Sequence, residues 1–346
     1  MNSLQIFISA HNLIRVLSLG IAGFALSMII TPIYTTISYK KQWWKKPRTE
    51  AWSGGKATVY ARLHAEKHKR NIPTMAGLIF IIATALVTII ANLRRDQTWL
   101  PVAGLLGAGI IGLIDDTMNI KSNGKGIAGM SAKLKFGLYS IVALIGGWWF
   151  YNKLGVNYIH LPWVNNWHVG IFIIFIFWLV VMSTAISVNF TDGLDGLAGG
   201  LLASSFATYA IIAMLEHKFA LAGFCLTIVG SLLSYTWFNI YPARFFMGDV
   251  GAFALGTALG IIALQTDTVY VLPFLGIVYV VETGSVIINR ISKKLRHGKK
   301  VFQSSPIHHH FEAIGWPETK VTMRFWILGQ VASVIGLIVF ILGRRG

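Results

Sequence analysis

The chain has 346 residues, 55% of them hydrophobic and only 12% charged, with a mean hydropathy of +0.63. This excludes an ordinary soluble protein, because soluble domains carry about a quarter charged residues. The 30 Lys and Arg against 13 Asp and Glu leave a net charge of +17, and in a membrane chain such an excess first raises the question of which loops hold it.

A helix needs roughly 20 apolar residues to cross the hydrocarbon core, and runs of about that length predict ten spans. They fall near 11–37, 74–92, 99–114, 136–151, 169–188, 194–215, 219–240, 250–264, 269–289 and 325–342. The first lacks a basic start and a small-residue cleavage site, so it reads as a span rather than a cleaved signal peptide. The third, with Gly104, Gly107, Gly109 and Gly112, and the eighth, with Gly251, Gly256 and Gly260, are short and suited to close packing between helices. Cys225, the only cysteine, lies in the seventh, which rules out an intramolecular disulfide and cysteine-rich metal sites.

Ten spans place both termini on one side. The loops 38–73, 115–135, 189–193, 241–249 and 290–324 lie on the other and carry 23 of the 30 basic residues. By the positive-inside rule these loops are cytoplasmic and both termini face outward. They are too short to fold alone, so residues 1–346 read as a single all-α, polytopic membrane domain.

The chemistry-bearing residues collect on that inner side. Asp115-Asp116 closes the third span in the string GLIDD, where a helix end disfavours negative charge and a cation or a catalytic task is expected. Asn189, Asp192 and Asp195 are spaced by three in NFTDGLDG, so helical geometry sends neighbouring members to one face. Asp249 follows Phe245-Phe246-Met247-Gly248 at the start of the eighth span, where a helix cap is the simpler reading and a base-stacking aromatic the sharper one. In Pro306-Ile307-His308-His309-His310-Phe311-Glu312, an extended strand lets only His308 and His310 share a side. Those histidines suit phosphate oxygens at least as well as a metal, while the aspartates suit a hard cation such as Mg2+. Glu282 lies within the ninth span and predicts a hydrogen bond inside the bundle. Carboxylates, lysines and histidines at a lipid boundary describe phosphoryl transfer between a soluble and a membrane-embedded phosphate ester.

A transporter places its ionisable residues near the midplane, whereas these collect at one interface. The chain also offers no long basic domain with stacking aromatics for nucleic acid.

The same strings resemble the bacterial phospho-N-acetylmuramoyl-pentapeptide-transferases, of the polyprenyl-phosphate N-acetylhexosamine-1-phosphate transferase superfamily. The likeness runs from about Lys69 to Trp326 through PTMAG at Pro73–Gly77, GLIDD, VNFTDGLDGLA from Val188, FNIYPARFFMGDVGA from Phe238, VETGSVI from Val281, PIHHHFEAIGWPE from Pro306 and RFW at Arg324. The HHHFE and GWPE strings are more specific to this branch than to the UDP-N-acetylglucosamine-1-phosphate transferases, the alternative within the superfamily.

The resemblance implies ten spans in the bacterial inner membrane, a cytoplasmic site, a homodimer, and Mg2+-dependent transfer of phospho-MurNAc-pentapeptide from UDP-MurNAc-pentapeptide to undecaprenyl phosphate, giving lipid I and UMP. By position it makes Asp249 the metal ligand, Asp115 the base with Asp116 in support, and Lys135 and His308 parts of the catalytic machinery, with Lys133 competing with Lys135 in the alignment. It gives substrate contacts to Lys69, Thr74, Asn189, Asp192, Gly193, Leu194, Asp195, Asn239, Phe246, Asn289, His309 and His310, with Phe246 stacking on uracil. It leaves direct attack and an enzyme-bound intermediate both open. Two departures stand out: Ala76 where the family usually has glycine, and Asn289 where it has glutamine.

Overall fold

The computed structural model describes residues 3–45, 71–122, 129–162 and 165–343. Lys69 and the greater part of the loop 38–73 lie outside the described residues, as do residues 123–128 of the loop 115–135.

The described chain is helical nearly throughout. Its elements are α1 Ser3–Lys40, α2 Gly77–Ala91, α3 Trp99–Lys121, α4 Ala132–Leu154, α5 Ile173–Thr191, α6 Leu197–Leu215, α7 Phe219–Asn239, α8 Gly248–Gln265, α9 Leu272–Leu275, α10 Ile277–Leu295, α11 Ile307–Ala313 and α12 Glu318–Gly343. Eight helices among the described residues are long and apolar enough to cross a membrane, and a bent pair raises the number to nine. This is a polytopic membrane protein.

Two of the ten expected spans take other forms. The second, α2, has 15 residues, about 22 Å at 1.5 Å per residue, which falls short of a hydrocarbon core of roughly 30 Å. The chain before it is irregular instead, with Met75 at φ +71°, and pairs with a neighbouring loop: Phe246 N donates to Pro73 O, Ala76 N to Phe246 O and Gly77 N to Met247 O. The ninth is bent by 80° between Val269–Leu275 and Ile277–Leu295. Gly276 interrupts the helix there with φ −101° and ψ 18°, a glycine break of the kind that accounts for sharp kinks. Glu282 therefore lies beyond a bend rather than inside a straight span. A third feature without a counterpart in the expected all-helical chain is an antiparallel hairpin of β1 Tyr158–Leu161 and β2 Asn165–His168, between α4 and α5.

Burial sorts the helices. α8 is buried along most of its length, whereas α1 and α12 expose most of theirs, as expected of helices whose apolar faces meet lipid. α8 packs chiefly on α3 and α5 and also touches α2, while α7 joins α1 to α6. Glycines permit the central approach. A Cβ on Gly112 of α3 would stand 2.5 Å from Val250 Cα and 2.6 Å from Asp249 O, so the α3 backbone lies against the first turn of α8. This contact brings the GLIDD aspartates beside Asp249.

Candidate active site

Asp115 and Asp116 sit inside α3, which continues to Lys121, rather than at its end. The expected penalty of a helix C-terminus is thus reduced, and both carboxylates are buried, at 1% and 0% exposure. Asp249 lies in the first turn of α8, where a helix dipole favours an anion. One oxygen from each of these three residues falls within 4.8 Å of the others.

Each carboxylate is held in place. Asp115 Oδ1 accepts from Met130 N at 2.7 Å, and Asp116 Oδ2 accepts from Val250 N at 3.1 Å. Lys135 Nζ bridges Asp115 Oδ2 at 2.7 Å and Asp249 Oδ2 at 2.6 Å. Lys133, its rival in the alignment, is exposed. Asn189 Nδ2 reaches Asp249 Oδ1 at 3.4 Å. Lys45, from the end of the segment after α1, adds a second ammonium at 2.8 Å from Asp116 Oδ1. Three carboxylates with oxygen donors only, and no sulfur, fit a hard divalent cation.

Around this centre the loops are cross-tied. Gly248 has φ +75°, and a Cβ there would collide with Asp116 Oδ2 and crowd Thr74 Oγ1 at 2.9 Å. Thr74 is buried, and its backbone N–H donates to Trp43 O at 2.7 Å. Asp192 follows α5, half-buried, and desolvation pushes its carboxyl up to about 7; Lys45 opposes this rise and Asp249, Asp116 and Asp195 add to it. Phe246 is half-buried beside the centre, its backbone paired with the Pro73–Ala76 segment.

Several residues that the resemblance gives to substrate also brace the loops. Asn239 accepts from Gly196 N and donates to Phe245 O. Asn289 accepts from Val301 N and Phe302 N and donates to Phe302 O, three of the four bonds that an amide side chain can make. Asp195 Oδ2 accepts from Ala243 N at 3.0 Å, and its own N–H donates to Glu318 Oε1 at 2.6 Å. Leu194 is buried.

The three histidines lie on the helix α11, not on an extended strand, and go three ways. His308 Nδ1 meets Glu282 Oε2 at 2.9 Å. His309 Nδ1 meets Glu312 Oε2 at 2.7 Å, and His310 Nδ1 accepts from Gln303 N at 3.3 Å. His308 Nε2 faces Gly193 so closely that a Cβ there would collide with it. His308 thus ties α11 to Glu282 and packs against the NFTDGLDG loop, rather than reaching Asp115, Asp116 or Asp249.

Lys45 was invisible as a site residue in the sequence, where it is one of ten basic residues in its loop. The tie from Glu318 to Asp195 was equally hidden, since nothing in the spacing of residues 195 and 318 relates them.

Fold and site together define a membrane-embedded transferase built around an acidic centre. Residues 98–267 match Glycosyl transferase family 4. A phospho-N-acetylmuramoyl-pentapeptide-transferase of Lactobacillus helveticus is 42% identical over 282 residues, covering 79% of this chain and 85% of the relative. Proteins of the same name from Chloroflexus aggregans, 32% identical over 342 residues with 94% and 90% covered, and from Levilactobacillus brevis, 39% identical over 277 residues with 78% and 84% covered, are similar along most of their lengths. The chain belongs to the phospho-N-acetylmuramoyl-pentapeptide-transferase family.

Proposed function

We propose that this chain, acting as one catalytic unit, transfers phospho-MurNAc-pentapeptide from UDP-MurNAc-pentapeptide to undecaprenyl phosphate, forming lipid I and UMP in a Mg2+-dependent reaction. The observation that carries the reading is the meeting of Asp115, Asp116 and Asp249 with Lys135 at one end of the bundle, in a chain whose relatives bear that enzyme's name.

In this reading an oxygen of the lipid phosphate attacks the phosphorus that bears the sugar. The bond from that phosphorus to the bridging oxygen breaks, and UMP leaves with the bridging oxygen and its electron pair. Asp249 would hold the ion, with Asp115 and Asp116 within reach, and a bound divalent cation supplies charge neutralisation at the phosphate oxygens. Asp115 takes the proton of the lipid phosphate when it arrives protonated, oriented by Met130 N and Lys135. Lys135 stays on Asp115 and Asp249 and presents its remaining N–H to the anionic oxygens of the donor. Thr74, Asn189, Asp192 and Gly193 lie around the centre to hold the pyrophosphate, Phe246 offers a face for uracil, and Leu194, Asp195, Asn239 and Asn289 shape the pocket by fixing its loops. His308 sits beside Gly193 toward the sugar-peptide end, with His309 and His310 behind it on α11.

The site is cytoplasmic and the termini outward in this proposal, supported by the 23 basic residues that the sequence puts in the alternate loops carrying the aspartate strings. The membrane is the bacterial inner membrane, and the working form is a homodimer, both by family likeness. The test is purified protein in detergent with labelled UDP-MurNAc-pentapeptide, undecaprenyl phosphate and Mg2+, with UDP-GlcNAc as competing donor. Lipid-linked muramoyl product is expected; no product, or preference for UDP-GlcNAc, overturns the proposal.

A further inference from the structure

Lys45 belongs to a basic loop that charge asymmetry alone would assign to membrane orientation, yet its ammonium enters the acidic centre. After α1 the chain turns at Gln42, whose φ is +55°, and Trp43 O accepts from Thr74 N at 2.7 Å. This ties the returning segment to the PTMAG string. Lys45 Nζ then lies 2.8 Å from Asp116 Oδ1 and 3.8 Å from Asp249 Oδ1.

The remaining carboxylate oxygens are bound elsewhere. Asp115 Oδ1 and Asp116 Oδ2 accept backbone N–H groups, and Asp115 Oδ2 and Asp249 Oδ2 share Lys135. Asp116 Oδ1 and Asp249 Oδ1 are therefore the pair left facing a cation, with Asn189 at 3.4 Å from the second. Lys45 stands between them.

The two lysines are not equally buried. Lys135 makes two contacts of 2.7 Å or less and passes over the Phe253 ring at 5.8 Å. Lys45 lies 2.8 Å from Asp116 Oδ1 and 3.8 Å from Asp249 Oδ1 at the more open side of the cluster, its side chain 35% exposed against 23% for Lys135. A divalent ion added beside both ammoniums would meet like charges a few ångströms away, in surroundings that screen poorly. Lys45, on a flexible stem with one localised charge, is the group that gives way.

We infer that Lys45 occupies the place that the divalent ion takes between Asp116 and Asp249, and withdraws when the ion binds, so that an internal ammonium competes with the metal and sets its affinity. The inference rests on the metal reading proposed above and adds to it a residue that regulates loading. When a competent state is populated only in part, apparent affinity falls by that fraction, so an ammonium seated nine times in ten weakens metal binding about tenfold. Seated, the ammonium also keeps three mutually repelling carboxylates together before the metal arrives.

The experiment uses the full chain in detergent with Mn2+ as the probe, its free concentration read by electron paramagnetic resonance, with no substrate present. Lys45→Met and Lys45→Gln should bind Mn2+ about tenfold more tightly than the unaltered chain. Both should also melt at lower temperature in chelator, with Mn2+ closing that gap. Lys45→Arg keeps the charge and protects against an uninformative loss of folding; it should bind Mn2+ no more tightly than the unaltered chain. Unchanged or weaker Mn2+ binding by Lys45→Met and Lys45→Gln, or tighter binding by Lys45→Arg, overturns the inference. If the unaltered chain and Asp249→Ala bind Mn2+ alike, the metal reading itself has failed and the inference falls with it.

Discussion

Glu282 Oε2 lies 2.9 Å from His308 Nδ1, and neither side chain has any exposed surface. The same oxygen lies 3.4 Å from His308 N, so one carboxylate from beyond the bend of the ninth span fixes both the ring and the backbone of α11. With Nδ1 engaged, the imidazole directs Nε2 at Gly193. The link runs from the kinked span through a histidine to the loop that carries Asp192.

Removing one partner of a buried, charge-assisted hydrogen bond strands the other. Glu282→Ala should lower unfolding stability in detergent by about 2 to 3 kcal/mol, and Glu282→Gln, which still offers an acceptor to Nδ1, by clearly less. Equal losses in chemical unfolding would show that the acceptor at this position does not matter.

Asp249 is joined to both lysines, at 2.6 Å from Lys135 and 3.8 Å from Lys45. Asp249→Ala should cut turnover by roughly a thousandfold, the scale for loss of a principal electrostatic group, while gel filtration shows a folded protein. Activity within tenfold of the unaltered chain would remove Asp249 from the metal site.

Stacking of a base on an aromatic ring is worth about 1 to 3 kcal/mol. Phe246→Ala should therefore raise the KM for the nucleotide donor about tenfold or more and leave the KM for the lipid phosphate nearly unchanged. The opposite ranking in steady-state kinetics would contradict the stacking role.

Desolvation raises the Asp192 carboxyl to about 7, above the ordinary value near 4 that it has in an unfolded chain. Between those values the folded protein binds a proton that the unfolded chain has released, so Asp192 makes stability fall as pH rises through that window and adds no further slope above it. In chelator, thermal unfolding from pH 4 to 8 should show this decline, and Asp192→Asn should flatten it. A variant with the same slope as the unaltered chain would assign the titration elsewhere.

Gly248 combines φ +75° with a would-be Cβ against Asp116 Oδ2. Gly248→Ala should cost about 1 to 2 kcal/mol for the left-handed backbone alone and should depress turnover through the displaced carboxylate. Stability and kinetics measured on the same preparation check both parts.

Hydropathy was sufficient to locate nearly every span because lipid demands long apolar runs. It did not reveal that α2 stops at 15 residues, because the segment before it owes its non-helical form to pairing of Pro73, Ala76 and Gly77 with Phe246 and Met247, which a hydropathy pattern does not record. Nor did it show the bend, since Gly276 differs little in sequence from the many packing glycines that leave their helices straight. The aspartate strings were legible because carboxylates at a lipid boundary are costly and few. Lys45 was not, because one lysine among ten basic residues of its loop carries no pattern; only the returning chain after Gln42 gives it a direction. The bracing by Asn239 and Asn289 was hidden for a related reason, since a side-chain amide that bonds a distant backbone leaves no periodic trace.

The bond from Val250 N to Asp116 Oδ2 has a wider consequence. Met247, which precedes α8, has no side-chain oxygen to close the helix start, and the third amide of α8 is the one that a capping side chain ordinarily serves. α8 is thus capped by a residue of another helix, so the start of this deeply buried helix and the placement of the Asp116 carboxylate are tied together. Amide exchange at Val250 is accordingly a built-in gauge of the cluster, readable without substrate and without a label on any carboxylate.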